Sequence, residues 1–276
     1  MIKGLIIYQK DDALKNQWFI DKCLNEFNDS IFSLFYKEEQ EVLSYIDSHP
    51  VDFVINRTRN HLLLKELEKR QIRSFNSSKT NRIANDKYET FKLAKQYGFP
   101  CVKTSLKSED FVTPYIAKSV SGHGGQEVYL IQSKEDFSSF IKNTSKQYIY
   151  QEYIKGANDV RLYILNNQLL GAVKRENDKD FRSNYSLGGK VSLYEPSKEM
   201  VDIAIKIAQL LEADYIGVDF LIKNGCFYLN EIEDPVGARM LYKVSDIDAL
   251  DLFIKDIKRV LLKQHESLIT IFLKIC

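Results

Sequence analysis

Three carboxylates around one short hairpin are of the residue type that best suits a divalent cation. Asp219 stands in Ile216-Gly-Val-Asp-Phe-Leu-Ile222, while Glu231 and Glu233 stand in the strand-like run Cys226–Glu233 beyond Asn224-Gly225. A charge amid buried strand residues needs a compensating partner. Oxygen ligands on rigid strands suit Mg²⁺, which takes carboxylates together with phosphate oxygens and water. A solvated acidic edge is the plain alternative. Glu231 and Glu233 are two apart and share a sheet face. If Asn224-Gly225 is a two-residue turn, strict pairing puts Asp219 opposite Asn230 and Glu231 opposite Val218. Asp219 then misses the glutamates' face unless a bulge or a longer turn shifts the parity.

Two further groups could handle phosphate. Lys118 ends a strand over Tyr115–Lys118 and runs into Ser119-Val-Ser-Gly-His-Gly-Gly125, with a second strand at Glu127–Ile131. Gly122, Gly124 and Gly125 let backbone N–H groups approach a polyphosphate, and the lysine neutralises it. A strand rather than a helix follows, unlike a P-loop or dinucleotide motif, and taken alone such a loop is also an ordinary turn. Lys174, Arg175 and Arg182 lie in and just after an apolar strand. Phosphoryl transfer sets cations of this kind against the γ-phosphate; a solvated basic face is the other reading.

The elements that must position these groups alternate along the chain. Residues 2–8, 31–36 and 51–55 read as short strands, with helices over 13–28 and 38–47, which implies a parallel sheet covered by helices. A helix over about 86–97 stops at Gly98-Phe-Pro100. Further on, the pattern predicts a helix at 133–143, a strand at 147–151, strands over 159–174, and a glycine pair (Gly188, Gly189) before a helix at 197–211. Asn224-Gly225 predicts a tight hairpin between Tyr215–Lys223 and Cys226–Glu233, and a last helix covers about 245–262.

Composition bounds the rest. Of 276 residues, 44% are hydrophobic and 28% charged, and 39 Lys+Arg nearly cancel 38 Asp+Glu. No global field therefore advertises nucleic acid or an anionic membrane as partner. Cys23, Cys101, Cys226 and Cys276 lack metal-type spacing and read as reduced thiols. The apolar stretch after Met1 is too short for a signal peptide, and the run Leu268–Cys276 is too short to span a bilayer. That run is expected to pack as a helix end, and the protein is expected in the cytoplasm.

In this order the pieces resemble the RimK-like ATP-grasp ligases over roughly residues 80–245. The most specific string is Asp180-Phe-Arg-Ser-Asn-Tyr-Ser-Leu-Gly-Gly189, similar to the family's FRSN…GG segment. Asp86-Lys87 looks like the family's DK, and Lys118 with its loop looks like the lysine and flexible loop over the ATP phosphates. Gln151-Glu-Tyr-Ile154 looks like the adenine-holding hinge, with Asp159-Val-Arg161 just after it. Gly217-Val-Asp219 and Glu231-Ile-Glu233 resemble the magnesium strands, although Glu233 stands where the family usually has Asn. Asp234-Pro-Val-Gly-Ala-Arg239 also departs from the family's SPG pattern, and Asn56-Arg-Thr-Arg59 sits where such proteins often place substrate or interface contacts.

The resemblance implies an α/β ATP-grasp fold with a preceding α/β domain over 1–80 and ATP-grasp subdomains of about 81–153 and 154–276. It implies ATP held by Lys87, Lys118, Gly122, Gly124, Gly125, Gln151, Glu152, Tyr153, Ile154, Asp159, Lys174 and Ser183. One or two Mg²⁺ ions, with Mn²⁺ as the alternative, would sit on Asp219, Glu231 and Glu233. Arg175, Arg182 or Asn184 would steady an oxyanion while a small-molecule or peptide carboxylate and an amine are joined through an acylphosphate. A nucleotide-binding sensor or scaffold without turnover is the alternative, and homo-oligomer formation is left open.

Overall fold

The computed structural model describes residues 1–176 and 190–275, with side chains to residue 266. Arg182, Ser183, Asn184 and the Gly188-Gly189 pair lie outside the described residues, as does the expected packing of the terminal apolar run. The first sheet is parallel, in the order β2 (Phe32–Glu38), β1 (Ile2–Tyr8), β3 (Phe53–Asn56), β4 (Arg73–Phe75). The apolar run of β1 is explained by burial on both faces. Ile2, Ile6 and Tyr8 join one core with Phe27, Phe53 and Phe75. Leu5 and Ile7 join another with Val42, Leu63, Leu64 and Leu67. Gly4 is required because a Cβ there would lie 2.3 Å from the Phe53 ring.

The helix expected over 13–28 is two helices, α1 (Lys10–Lys15) and α2 (Gln17–Glu26). Asn16 breaks them with φ −125° and ψ 24°, and its side-chain amide donates to the Asp12 carbonyl at 2.7 Å. Such local bonding by Asn competes with helix continuation, a signal that apolar periodicity does not carry. α3 (Val42–Ser48), α4 (His61–Lys69) and α5 (Ser78–Ala84) complete this part.

α6 (Lys87–Tyr97) leads into a second, antiparallel sheet in the order β5 (Thr104–Ser105), β8 (Tyr148–Glu152), β6 (Tyr115–Ser119), β7 (Val128–Ile131). α7 (Lys134–Lys142) covers it, and Phe137 and Phe140 pack on Tyr115, Tyr148 and Tyr150. The third sheet is antiparallel, in the order β11 (Lys190–Leu193), β10 (Gln168–Glu176), β9 (Asn158–Leu165), β12 (Tyr215–Lys223), β13 (Cys226–Glu233).

Strand alternation divides the faces of this third sheet. Val160, Leu162, Ile164, Ile216, Val218 and Phe220 pack with Ala204, Ile207 and Leu211 of α8 (Lys198–Leu211). On the other face, Tyr163, Leu165, Val173 and Tyr215 share one core with Ile6, Phe53 and Phe253. Further along that same face the residues turn polar: Asp159, Arg161, Arg175 and Asp219. The sheet is thus apolar where it meets the first sheet and charged where it faces the second. α9 (Arg239–Val244) and α10 (Ala249–Ile275) close the chain. Among the described residues no helix is long and apolar enough to cross a membrane.

Candidate functional site

A cavity of about 640 Å³ opens between the second and third sheets. Lys87, Lys118, Gly122, Gly124, Gly125, Gln151, Glu152, Tyr153, Ile154, Asp159, Arg175, Asp219, Glu231 and Glu233 all line it, which brings together most of the expected site residues. Lys174 is not among them: its neighbour Arg175 enters the cavity, and Lys174 Nζ instead pairs with Glu176 Oε1 at 2.7 Å. Alternation along the strand turns the two neighbouring cations to opposite sides.

The parity of the acidic hairpin is settled by a bulge. Asn224 and Gly225 form the expected two-residue turn, both with positive φ (51° and 78°). Pairing is regular from Lys223↔Cys226 to Phe220↔Leu229, then shifts, so that Asp219 stands opposite Glu231 and Gly217 opposite Glu233. Asn230 is the extra residue. It turns Leu229 into the core with Val218 and Phe220 and leaves Glu231 on the cavity side with Asp219. The inserted side chain is itself used: Lys118 Nζ donates to Asn230 Oδ1 at 2.7 Å.

Two guanidiniums that join the strands dominate the electrostatics. Arg161 Nε and Nη2 donate to Asp219 Oδ1 and Oδ2 at 2.7 and 2.8 Å, and Nη2 also donates to Glu233 Oε2 at 2.9 Å. Arg175 Nη2 donates to Asp219 Oδ2 at 2.6 Å, and Nε donates to Asp159 Oδ1 at 3.0 Å. Burial pushes the Asp219 carboxyl up, but Arg161 and Arg175 outweigh it and hold the group at about 2. Burial, opposed by Arg175 and reinforced by Asp219, leaves Asp159 above its ordinary value. Lys118 is pushed down by burial, with Glu231 pulling the other way. Glu231 lies 3.8 Å from Lys118 Nζ and 3.9 Å from Lys87 Nζ.

Sequence reasoning left Arg161 and Asn230 out of the site. Arg161 stands out as a cation inside an apolar strand and in the string Asp159-Val-Arg161, with no role attached, and Asn230 carries no local signal because its part depends on a register set across two strands. Arg161 also answers the charge question raised by Glu233: the extra carboxylate has a guanidinium beside it. Lys87 is aimed by its helix start. The Asp86 carboxylate caps α6, accepting from the N–H groups of Tyr88 and Glu89 at 2.9 Å each, and Lys87 Nζ donates to the Gly122 carbonyl.

Among the described residues no three His, Cys, Asp or Glu side chains gather as a ready metal centre. The donor set still fits Mg²⁺ held with a nucleotide, since that ion needs only one or two carboxylates besides phosphate oxygens. Asp219 and Glu231, opposite each other on adjacent strands, would supply them.

The end of the acidic hairpin is tied to the first sheet. Buried Asn76, just after β4, donates through Nδ2 to the Tyr215 carbonyl and to Asp234 Oδ1, each at 2.7 Å. Asn81 Nδ2 donates to Asp234 Oδ2 at 2.7 Å, and Arg57 Nη2 donates to the Val236 carbonyl at 2.8 Å. The unusual stretch after Glu233 is therefore a buried junction.

Residues 77–257 match the RimK-like ATP-grasp domain family. An uncharacterized protein of Mycoplasma genitalium is 30% identical over 92% of this chain and 92% of its own length. The beta-citrylglutamate synthase B of Mus musculus is 28% identical over 67% of this chain and 53% of that protein. Among solved structures, D-alanine–D-alanine ligase from Bacillus anthracis complexed with ATP superposes with a TM-score of 0.73. It is 16% identical, covering 96% of this chain and 99% of that one. At that identity the likeness shows the fold.

Proposed function

Because the chain belongs to the RimK-like ATP-grasp family of ligases, we propose that it joins a carboxylate to an amine through an acylphosphate, releasing ADP and phosphate. The observation that carries this reading is the distribution of charge in the cavity. Hinge residues Gln151–Ile154 lie on the wall formed by the second sheet, and Lys87, Lys118, Arg161 and Arg175 meet Asp219, Glu231 and Glu233 where the sheets converge. Adenine at the hinge would direct the phosphates into that cation cluster. Lys118 and the N–H groups of the glycine loop would hold the β- and γ-phosphates, and Arg175 would steady charge on the transferred group. Mg²⁺ or Mn²⁺ bound with the nucleotide would withdraw charge from the phosphoryl oxygens, with Asp219 and Glu231 as its holders and Glu233 beside them. Ser183 would support the nucleotide, and Arg182 and Asn184 the oxyanion. The loop over the cavity would exclude water that otherwise hydrolyses the acylphosphate. A cytoplasmic location goes with this reading.

The test is a screen of acid and amine pairs for ADP and phosphate release. Citrate with glutamate is the first pair, suggested by the product named in the mouse relative. Acid alone gives slow ADP release, and the matching amine accelerates it. With ¹⁸O-labelled carboxylate, label appears in phosphate; label in AMP would refute the acylphosphate route. The pairing of Asp219 with two guanidiniums favours one rival, an ATP-binding sensor or scaffold without turnover. ADP formation indifferent to every acid and amine would decide for that rival.

A further inference from the structure

His123 stands in the middle of the glycine loop, lines the cavity, and has no part in the reading above. The loop around it is held in shape. The Gly122 N–H donates to the Ser119 carbonyl at 3.3 Å and the Ser119 N–H to the Glu127 carbonyl at 3.0 Å, while Lys87 Nζ holds the Gly122 carbonyl.

The charges acting on the imidazole come from four elements: Arg59 after β3, Asp12 in α1, Glu233 at the end of β13 and Lys87 at the start of α6. Its neighbour Gly122 is held by Lys87 Nζ, which lies 3.9 Å from Glu231, and this sets the loop at the carboxylate end of the cavity. Burial first, and then Arg59, lower the imidazole's pKa from the ordinary value against the pull of Asp12 and Glu233.

An amine arrives at neutral pH as an ammonium ion, whose nitrogen has no free electron pair. Something at the reacting end of the cavity must take a proton. The carboxylates there are poor candidates because cations already engage them: Asp159 and Asp219 by Arg175, Glu233 by Arg161 and Glu231 by the two lysines. Glu127 and Glu176 pair with Lys146 and Lys174, and Glu152 stands at the end of β8 with the hinge residues. Among the described lining residues His123 is the one imidazole, and a base near neutral pKa is the efficient kind.

We propose that His123 is the base that deprotonates the incoming amine, an inference that rests on the ligase reading. One ammonium proton passes to the imidazole, and the nitrogen pair then forms the bond to the acyl carbon. The bond from that carbon to the phosphate oxygen breaks, and phosphate leaves with its electron pair. The departing phosphate takes the second proton lost as the amide forms.

The experiment compares two nucleophiles, using the acid and amine identified by the screen. Hydroxylamine is a weak base, largely unprotonated at neutral pH, and captures an acylphosphate as a hydroxamate without needing a base. In His123→Asn, and equally in His123→Gln, the ratio of amide to hydroxamate falls by about 100-fold or more. The parent's amide rate levels off above the imidazole's pKa, whereas the variants' rate keeps rising with pH as free amine accumulates. An unchanged ratio, or equal falls in both products, would overturn the assignment and leave the ligase reading standing. No hydroxamate from the parent with any acid would overturn the ligase reading and this proposal together.

Discussion

Replacing Asp219 by Asn is a cleaner probe than its burial suggests. Three carboxylates (Asp159, Asp219, Glu233) face two guanidiniums in this network, so the variant leaves the buried charges balanced. The expected cost is about 1–3 kcal/mol of stability for imperfectly satisfied hydrogen bonds, with nucleotide-dependent turnover abolished; chemical unfolding and ADP release check the two parts. The depressed pKa of about 2 adds a sign. Between that value and about 3.9 the unfolded chain binds more protons, so this contribution is full above the window and lost as pH falls through it. Asp219→Asn should therefore flatten the acid-unfolding curve. Lys118→Ala removes a buried cation within reach of Asn230 and Glu231. ATP affinity measured by calorimetry should fall by about 1.5–3 kcal/mol, and unchanged affinity in a folded variant would remove Lys118 from the nucleotide site.

At the scale of elements, the hairpin β12–β13 makes a sharper claim. If Asn230 serves to correct the parity between Leu229 and Glu231, deleting it gives a regular strand with Leu229 still opposite Phe220 and Glu231 still opposite Asp219. What is lost is the hydrogen bond from Lys118, about 1.5 kcal/mol. The deletion should keep metal-dependent turnover at roughly a tenth of the parent rate. Complete loss of turnover in a folded deletion variant would mean that the bulge shapes the site beyond its register.

The molecule as a whole is joined across its first and third sheets by a shared apolar core and by buried polar groups. Asp214 is one of the latter. Arg73 of β4 donates to its Oδ1, while its Oδ2 is buried with no hydrogen-bond partner among the described residues. Burial, opposed by Arg73 and reinforced by Asp256 and Asp234, raises this carboxyl to about 7. Here the folded chain binds the extra proton. The stabilisation is complete below about pH 4 and is lost as pH rises through 7. Asp214→Asn should remove roughly 2–4 kcal/mol of that pH dependence, read as urea midpoints that no longer fall between pH 5 and pH 8. A variant with the parent's slope would place the titration elsewhere.

Local signals carried much of this protein into view. The Asn224-Gly225 turn, the capping aspartate before Lys87 and the stop at Gly98 act within a few residues of themselves, so they read directly from the sequence. The family string around residues 180–189 and the loop behind Lys118 pointed to the fold for the same reason. Other features turned on bonds and registers that apolar periodicity does not carry. Asn16 split a helix through its own side-chain bond, and strand alternation sent Arg175 rather than Lys174 into the cavity. Arg161 acquired its two carboxylate partners only when β9, β12 and β13 came side by side. Asn230 is the plainest case: whether Glu231 faces solvent, core or cavity turns on one extra residue in a ladder. The ladder's register is decided by burying Leu229 in the core it shares with Val218 and Phe220, an energy that exists only once the chain has folded.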